Sequence, residues 1–124
     1  MLICFNRPKE LKKTLQLLLK YNVKNLYVFQ DGCPQNNFKN FQKHIEVKNI
    51  LKEFQLVKKI NTFYAKKNLG KKFGPPNAIT WFFNNVKNGV IIEDDTLPSK
   101  SFLLMSEILL KEHENDKKVF QICG

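Results

Sequence analysis

Residues 89–95 read GVIIEDD, and this stretch decides how the rest of the chain is interpreted. Val90, Ile91 and Ile92 form a short apolar run, which is typical of a strand buried in a parallel sheet. Three acids follow at its carboxyl end, where open α/β sheets bind their ligands. A hard divalent ion such as Mg²⁺ or Mn²⁺ would convert the repulsion among these carboxylates into coordination. The local sequence also allows a second interpretation, because acids after a strand often cap the next helix.

The size and composition of the chain indicate one globular domain over residues 1–124. Its uninterrupted apolar stretches are far shorter than the ~18 residues that a membrane helix needs. Three widely spaced cysteines, Cys4, Cys33 and Cys123, form no ligand pattern with His44 or His113. We therefore expect reduced thiols, a cytoplasmic location and no zinc site. Both histidines lie in polar helical stretches, which predicts surface positions.

The formal net charge of +10 would ordinarily suggest nucleic acid, anionic lipid or phosphorylated ligands as partners. All basic residues except Arg7 are lysines, and they alternate with Asn and Glu instead of forming one dense tract. Dispersed lysines usually form a solvated surface. We therefore expect no nucleic acid partner, while peripheral contact with a membrane, such as the inner membrane surface, stays open.

Five apolar runs are interpreted as strands, and they alternate with segments whose apolar residues recur at helical spacing. The predicted strands are residues 2–5, 26–29, 56–60, 90–92 and 119–123. This alternation implies right-handed crossovers between parallel strands. We therefore expect an α/β protein, a Rossmann-like three-layer sandwich whose mostly parallel sheet has about five strands and carries helices on both faces.

The turns after the first, second and fourth strands should meet at one edge of this sheet. They would bring together Asn6 and Arg7, then Asp31, then the acids 93–95. An acid such as Asp31 suits a ribose or a base, and a carboxylate cluster suits a metal. A diphosphate beside carboxylates requires a divalent ion between them, so metal and phosphates belong together.

Each of these segments also has a simpler interpretation. Asp31 and Gly32 form a common turn dipeptide. Residues 6–8, NRP, can simply end a strand and start a helix. Lys71 and Lys72 could add positive charge to the same edge, but they are two among many lysines.

In this order, the segments resemble the nucleotide-sugar-binding portion of GT-A-fold glycosyltransferases, similar to family 2 and to the N-acetylglucosaminyltransferase-I-like group. The resemblance covers nearly the whole chain, and its segments are weak singly but fairly specific together. They are CFNRP at 4–8, QDGCP at 30–34, NLG at 68–70 before AITWFF at 78–83, and IIEDD at 91–95 with LPS at 97–99 and Phe102.

The resemblance implies that residues 93–95 form a DxD-type motif. Asp95 would be the leading ligand of Mn²⁺ or Mg²⁺, with Asp94 beside it. Asp94 and Glu93 would also face the donor sugar and the ribose of a nucleotide sugar, for which UDP is the favoured nucleotide.

The resemblance also assigns roles to the other turns. Asp31 corresponds to the acid that meets the uracil or ribose, and Asn6 and Arg7 would border the same pocket. Lys72 lies where relatives often carry a basic residue near the nucleotide. Pro75 and Pro76 depart from the small polar residues more usual there.

Glycosyltransferases of this fold place the acceptor site, and in inverting members the catalytic base, beyond the fifth strand. We therefore expect a donor-binding fragment that lacks the acceptor-binding half, with its acceptor and its catalytic base unidentified. The alternative is a catalytically inactive, truncated homologue that acts as a nucleotide-binding, polyanion-binding or interaction module. In that case a homodimer could cover the apolar surface that the missing half would hide.

Overall fold

The computed structural model describes residues 1–34 and 38–123, in which four strands alternate with four helices. All strand pairs are parallel, and the sheet order is β3-β2-β1-β4. The predicted α/β class and parallel sheet are therefore confirmed. The elements are β1 Leu2–Cys4, α1 Pro8–Lys20, β2 Tyr27–Gln30, α2 Phe38–Val57, β3 Asn61–Tyr64, α3 Gly70–Phe83, β4 Ile92–Glu93 and α4 Lys100–Glu112.

Each face of the sheet has its own buried cluster, because successive strand residues point to opposite faces. On one face, Leu2 packs with Leu15 of α1 and Leu51 of α2. On the other face, Phe29 packs with Phe82 of α3. Helices thus cover both faces, and the arrangement is compatible with a Rossmann-like sandwich.

The prediction of about five strands is wrong for the described residues, which contain four. Residues 119–123 form no strand. Phe120 is 99% exposed and Ile122 is 46% exposed, so this segment has the apolar composition of a strand but packs against little. A strand needs neighbours for its backbone groups and side chains, and composition alone does not supply them.

The predicted third strand, residues 56–60, is also wrong. α2 continues through Val57, and β3 begins only at Asn61. β3 reads NTFY, so its first two residues are polar and give no apolar signal. The strand is held by its aromatic residues, since Phe63 stacks on Phe29 with ring centroids 5.4 Å apart.

The loosely patterned segment 61–74 contains the start of a helix. α3 begins at Gly70, and Pro75 and Pro76 lie inside it. Neither proline can donate the usual helical hydrogen bond, so the carbonyls of Lys71 and Lys72 lose that partner. Within the described chain, no helix is both long and apolar enough to cross a bilayer.

Candidate functional site

An ion-paired cluster lies where β1 and β4 end side by side. Arg7 occupies the N-cap position of α1, and its Nη1 lies 3.3 Å from Oδ1 of Asp94. The same nitrogen also contacts Oδ2 of Asp95. The Asp94 side chain is only 7% exposed, whereas those of Arg7 and Asp95 are 48% and 46% exposed. The structure therefore brings together three of the predicted residues, with one carboxylate buried and one half-exposed to solvent.

Asp94 is held in place by the end of β1. Its backbone N–H donates to the carbonyl of Ile3 (3.0 Å), and its Oδ2 accepts from the N–H of Phe5 (3.2 Å). Burial raises the pKa of Asp94, and the neighbouring Asp95 adds to the rise, while the Phe5 N–H and Arg7 partly oppose it. A cation beside this carboxylate is therefore favourable, because it stabilises a charge that burial disfavours.

The guanidinium of Arg7 responds to the same surroundings. Desolvation acts to lower the pKa of Arg7, but the charges and hydrogen bonds of Asp94 and Asp95 outweigh it and raise that pKa. Arg7 therefore stays protonated, and its positive charge lies beside the two carboxylates.

Thr14, on α1, fixes the position of residues 93–95, which we call the acidic turn. Its hydroxyl is fully buried and lies 3.1 Å from the carbonyl of Asp94 and 3.2 Å from that of Thr96, so one proton is shared between two acceptors. Thr14 was not among the residues predicted from the sequence to belong to the site. The available signal was its position, because it lies on the buried face of α1 between Leu11 and Leu15.

Asp31 belongs to a separate cluster. Its carboxylate is buried and accepts four hydrogen bonds, which use the lone pairs of both oxygens. Oδ1 accepts from the N–H groups of Gly32 (2.8 Å) and Leu69 (2.9 Å), and Oδ2 accepts from the N–H of Gly70 (2.9 Å) and from Nδ2 of Asn68 (3.2 Å). Asp31 thus ties the end of β2 to the first turn of α3.

Two glycines make this cluster possible. A Cβ on Gly32 would lie 2.3 Å from the carbonyl carbon of Lys67, so only glycine allows the two backbone segments to approach. Gly70 has a φ of +66°, in the left-handed region that favours glycine. The DG and NLG segments are therefore two halves of one structural unit.

Within the described chain, no side-chain hydrogen bond or ion pair joins Asn6, Lys72 or Glu93 to the cluster of Arg7, Asp94 and Asp95. Asn6 donates from Nδ2 to Oδ1 of Asn40 on α2 (3.0 Å). The Nζ of Lys72 lies 5.3 Å from the ring centroid of Phe73, and Glu93 is exposed. Among the described residues, Lys72 and Glu93 make no hydrogen bond or ion pair with another candidate.

His44 is not the surface residue that its polar neighbours predicted. It is half-buried, and its Nε2–H donates to the carbonyl of Asp31 (2.8 Å). Gln30, which is 1% exposed, donates from Nε2 to the carbonyls of His44 (2.9 Å) and Phe5 (3.2 Å). A buried polar layer therefore joins α2 to the ends of β1 and β2. The signal for it was a glutamine at the end of an otherwise apolar strand.

The chemistry of Asp94 and Asp95 fits a cation shared with a ligand. One guanidinium nitrogen already contacts an oxygen of each carboxylate. Mg²⁺ in nucleotide sites is usually held by one or two carboxylates, substrate phosphates and water instead of a closed protein cage. Within residues 1–34 and 38–123, no group of three or more His, Cys, Asp or Glu could hold a metal alone.

Comparisons with protein-family models, with curated proteins and with solved structures found no match. The functional interpretation of this edge therefore depends on its geometry and on the segments that resemble GT-A-fold glycosyltransferases.

Proposed function

We propose that this protein binds a nucleoside-diphosphate sugar at the carboxyl edge of its sheet, as the donor-binding part of a glycosyltransferase. Asp95 and Asp94 would hold Mn²⁺ or Mg²⁺, and a UDP-sugar is the favoured ligand. One observation carries the proposal: a single positive nitrogen of Arg7 contacts a carboxylate oxygen from each of these two acids. The position between them is therefore one that a cation can occupy.

In glycosyl transfer, a bound divalent ion would neutralise the charge that develops on the diphosphate leaving group. The chain's own residues would prepare this position. The Phe5 N–H keeps Oδ2 of Asp94 aligned, and Thr14 fixes the backbone of the acidic turn. Because Asp95 is half-exposed, its carboxylate can meet a ligand that arrives from solvent.

Arg7 would change partners when the ligand binds. Its side chain is half-exposed, and among residues 1–34 and 38–123 its guanidinium pairs with these two acids. If the two carboxylates held a divalent ion, the guanidinium of Arg7 would be available to a phosphate, for which its planar fork is suited.

The Asp31 cluster would shape the other side of the binding site. By accepting from Leu69 and Gly70, Asp31 sets the direction of the first turn of α3. The next N–H groups, those of Lys71 and Lys72, lie at the positive end of a helix and are suited to an anion. In this proposal Asp31 acts through the backbone that it positions.

Titration with UDP, with and without Mn²⁺, followed by calorimetry and by thermal unfolding, tests the proposal. We expect binding to need the metal in the wild-type protein and to lose that need, together with most of its strength, in Asp95→Asn. Glu112→Gln, which removes one exposed acid on α4, is the matched control and should bind as the wild type does. Equal weak binding by all three proteins, whether or not Mn²⁺ is present, would overturn the site.

The alternative, an inactive module that binds nucleotides or polyanions through its lysines, predicts a different result. Its affinity should fall steeply as salt is raised and should be unchanged in Asp95→Asn. Transfer itself would also require an acceptor site and a general base. Nucleotide binding, and not turnover, is therefore the activity by which this chain is tested.

A further inference from the structure

α2 carries apolar residues on two opposite faces. Its inner face is buried, with Val47 and Leu51 in the core. At 3.6 residues per turn, a second apolar stripe falls on the side opposite Val47. We call this stripe the outer face of α2, and it consists of Phe38, Phe41, Ile45 and Leu56, which are 75%, 50%, 39% and 89% exposed. A helix on the surface of a globular protein normally has polar residues there.

The charges around the outer face favour an anionic partner. Lys52 lies within the stripe, between Phe41 and Ile45 by helical angle. Lys48 lies beside Phe41 at one edge of the stripe, whereas Glu46 and Glu53 lie beyond Leu56 at the other edge. Lys58 and Lys59 follow the helix directly. The whole chain has a formal net charge of +10. A second copy of the chain would bring like charge to this face, whereas an anionic surface would bring the opposite charge.

The shape of the outer face favours a broad surface over a peptide. From Phe38 to Leu56 it spans about 27 Å at the helical rise. Both end residues are at least 75% exposed, so the stripe protrudes and does not line a groove. Aromatic and aliphatic side chains along one helix face, with lysines within the stripe and at one of its edges, are an arrangement by which helices lie in the interface of anionic membranes.

We propose that the outer face of α2 binds an anionic lipid surface. Phe38, Phe41 and Ile45 enter the boundary between headgroups and acyl chains, and the lysines pair with lipid phosphates. The inner side of the same helical segment meets the candidate site, because Asn40 accepts from Asn6 and the His44 ring donates to the Asp31 carbonyl. The lipid surface therefore lies across one helix from the carboxyl edge of the sheet. Lipid binding does not depend on the proposed nucleotide binding.

Sedimentation with vesicles tests this proposal. The wild-type chain is mixed with vesicles of phosphatidylcholine alone or with added phosphatidylglycerol, and the bound fraction is measured. We expect binding only where phosphatidylglycerol is present. The triple variant Phe38→Ser, Phe41→Ser, Ile45→Ser should lower the partition coefficient at least about tenfold, because membrane binding scales with buried apolar area.

The matched control removes as many apolar side chains from another exposed helix. α4 has no buried residue, and its Leu104, Met105 and Ile108 are 51%, 51% and 55% exposed. Changing all three to serine should leave the partition coefficient within about twofold of the wild type, since the outer face of α2 is intact. Leu56→Ser, at the far end of the outer face, is an independent second variant and should weaken binding without any change near the candidate site.

Four results would overturn the proposal. The first is that the wild type does not bind the vesicles, and the second is that both triple variants lose vesicle binding equally. The third is that neither variant loses vesicle binding, and the fourth is that salt abolishes vesicle binding while the serines on α2 leave it unchanged. The last would indicate a general polyanion contact through lysines. Sedimentation equilibrium without lipid tests whether a second copy of the chain binds the outer face. If the wild type self-associates, the α2 variant does not, and neither binds vesicles, the outer face is a dimer interface. The changed side chains are exposed, so circular dichroism and Tm should match the wild type.

Discussion

The acids that follow β2 and β4, the two strands on either side of β1, have opposite surroundings in this protein. Asp31, after β2, accepts four hydrogen bonds from residues that remain in place as long as the chain is folded. Asp94 and Asp95, after β4, share one half-exposed guanidinium. Backbone donors cannot leave, whereas a side-chain cation can exchange for another cation. All three acids lie at the end of a strand, so their position does not distinguish them. Their partners do: an acid bonded to the backbone stabilises the fold, whereas an acid paired with a side-chain cation can bind a ligand.

The largest effect should come from Asp31→Asn. Asparagine keeps one acceptor oxygen, but its NH₂ group replaces the other oxygen and faces the two donors that bonded to it. Those buried donors lose their acceptor. We expect the free energy of unfolding in urea to fall by about 3 kcal/mol. Asp116→Asn, which changes an exposed acid that accepts from the N–H of Lys118 (2.9 Å), should cost far less. Unchanged stability with weakened UDP binding would instead make Asp31 a direct nucleotide contact and break the comparison.

Thr14→Val should have the next largest effect. Valine keeps the shape of threonine but leaves the carbonyls of Asp94 and Thr96 without the shared hydroxyl, at a cost of about 1 kcal/mol. Thr80→Val is the matched control, because the Thr80 hydroxyl also donates to a carbonyl, that of Pro76 (2.9 Å), but is exposed. If Thr14 positions the acidic turn, its variant should also weaken the metal-dependent part of UDP binding. An equal loss of UDP binding in both variants would contradict that role.

The free energy of unfolding, measured over a pH series, should show the raised pKa of Asp94. Burial raises the pKa of Asp94 in the folded protein above that in the unfolded chain. Between the two values the folded state binds more protons, so the contribution of Asp94 to stability falls as pH rises from about 4. Asp94→Asn does not titrate, and its stability relative to the wild type should therefore rise over that range. Parallel urea curves at each pH, with a constant difference between the two proteins, would show that Asp94 has no raised pKa.

The smallest change in stability should follow Arg7→Gln, because the guanidinium of Arg7 is half-exposed and ion pairs of exposed groups contribute about 0–1 kcal/mol. Its binding effect should be clearer. With Arg7 gone, Mn²⁺ alone should bind more tightly, since no guanidinium competes for the carboxylates. Lys12→Gln removes an equal charge from an exposed position on α1, so it controls for the change in the net charge of the protein. Mn²⁺ affinity that moves equally in the two variants would refute competition by Arg7.

Much of this organisation could be predicted from local pattern. Apolar runs predicted three of the strands and a parallel sheet, and the rule that parallel strands end at one edge predicted Arg7 near Asp94 and Asp95. The pattern failed where tertiary context decides. β3 is held by Phe63 stacking on Phe29, although its first residues are polar.

The Asp31 cluster was beyond local pattern for a related reason. It depends on the approach of Gly32 to the backbone of Lys67, a contact between segments far apart in sequence. From its own neighbourhood, Asp31 could only be interpreted as a turn residue or as a ligand contact. Thr14 and His44 were missed because their partners lie on other elements.

The pairing of β1 with β4 joins the first and the last strand along the chain, so it has to wait for β4 to be synthesised. Leu2 pairs with Ile92, and the ion pair of Arg7 with Asp95 spans 88 residues, whereas the Asp31 cluster closes over at most 39. During synthesis, the DG and NLG segments can meet before β4 has left the ribosome. The loop-closure entropy of the longer span is only slightly greater, at about 0.6 kcal/mol per doubling. The carboxylates of the proposed metal site should therefore be the last part of this edge to form, on a scaffold that Asp31 has already set.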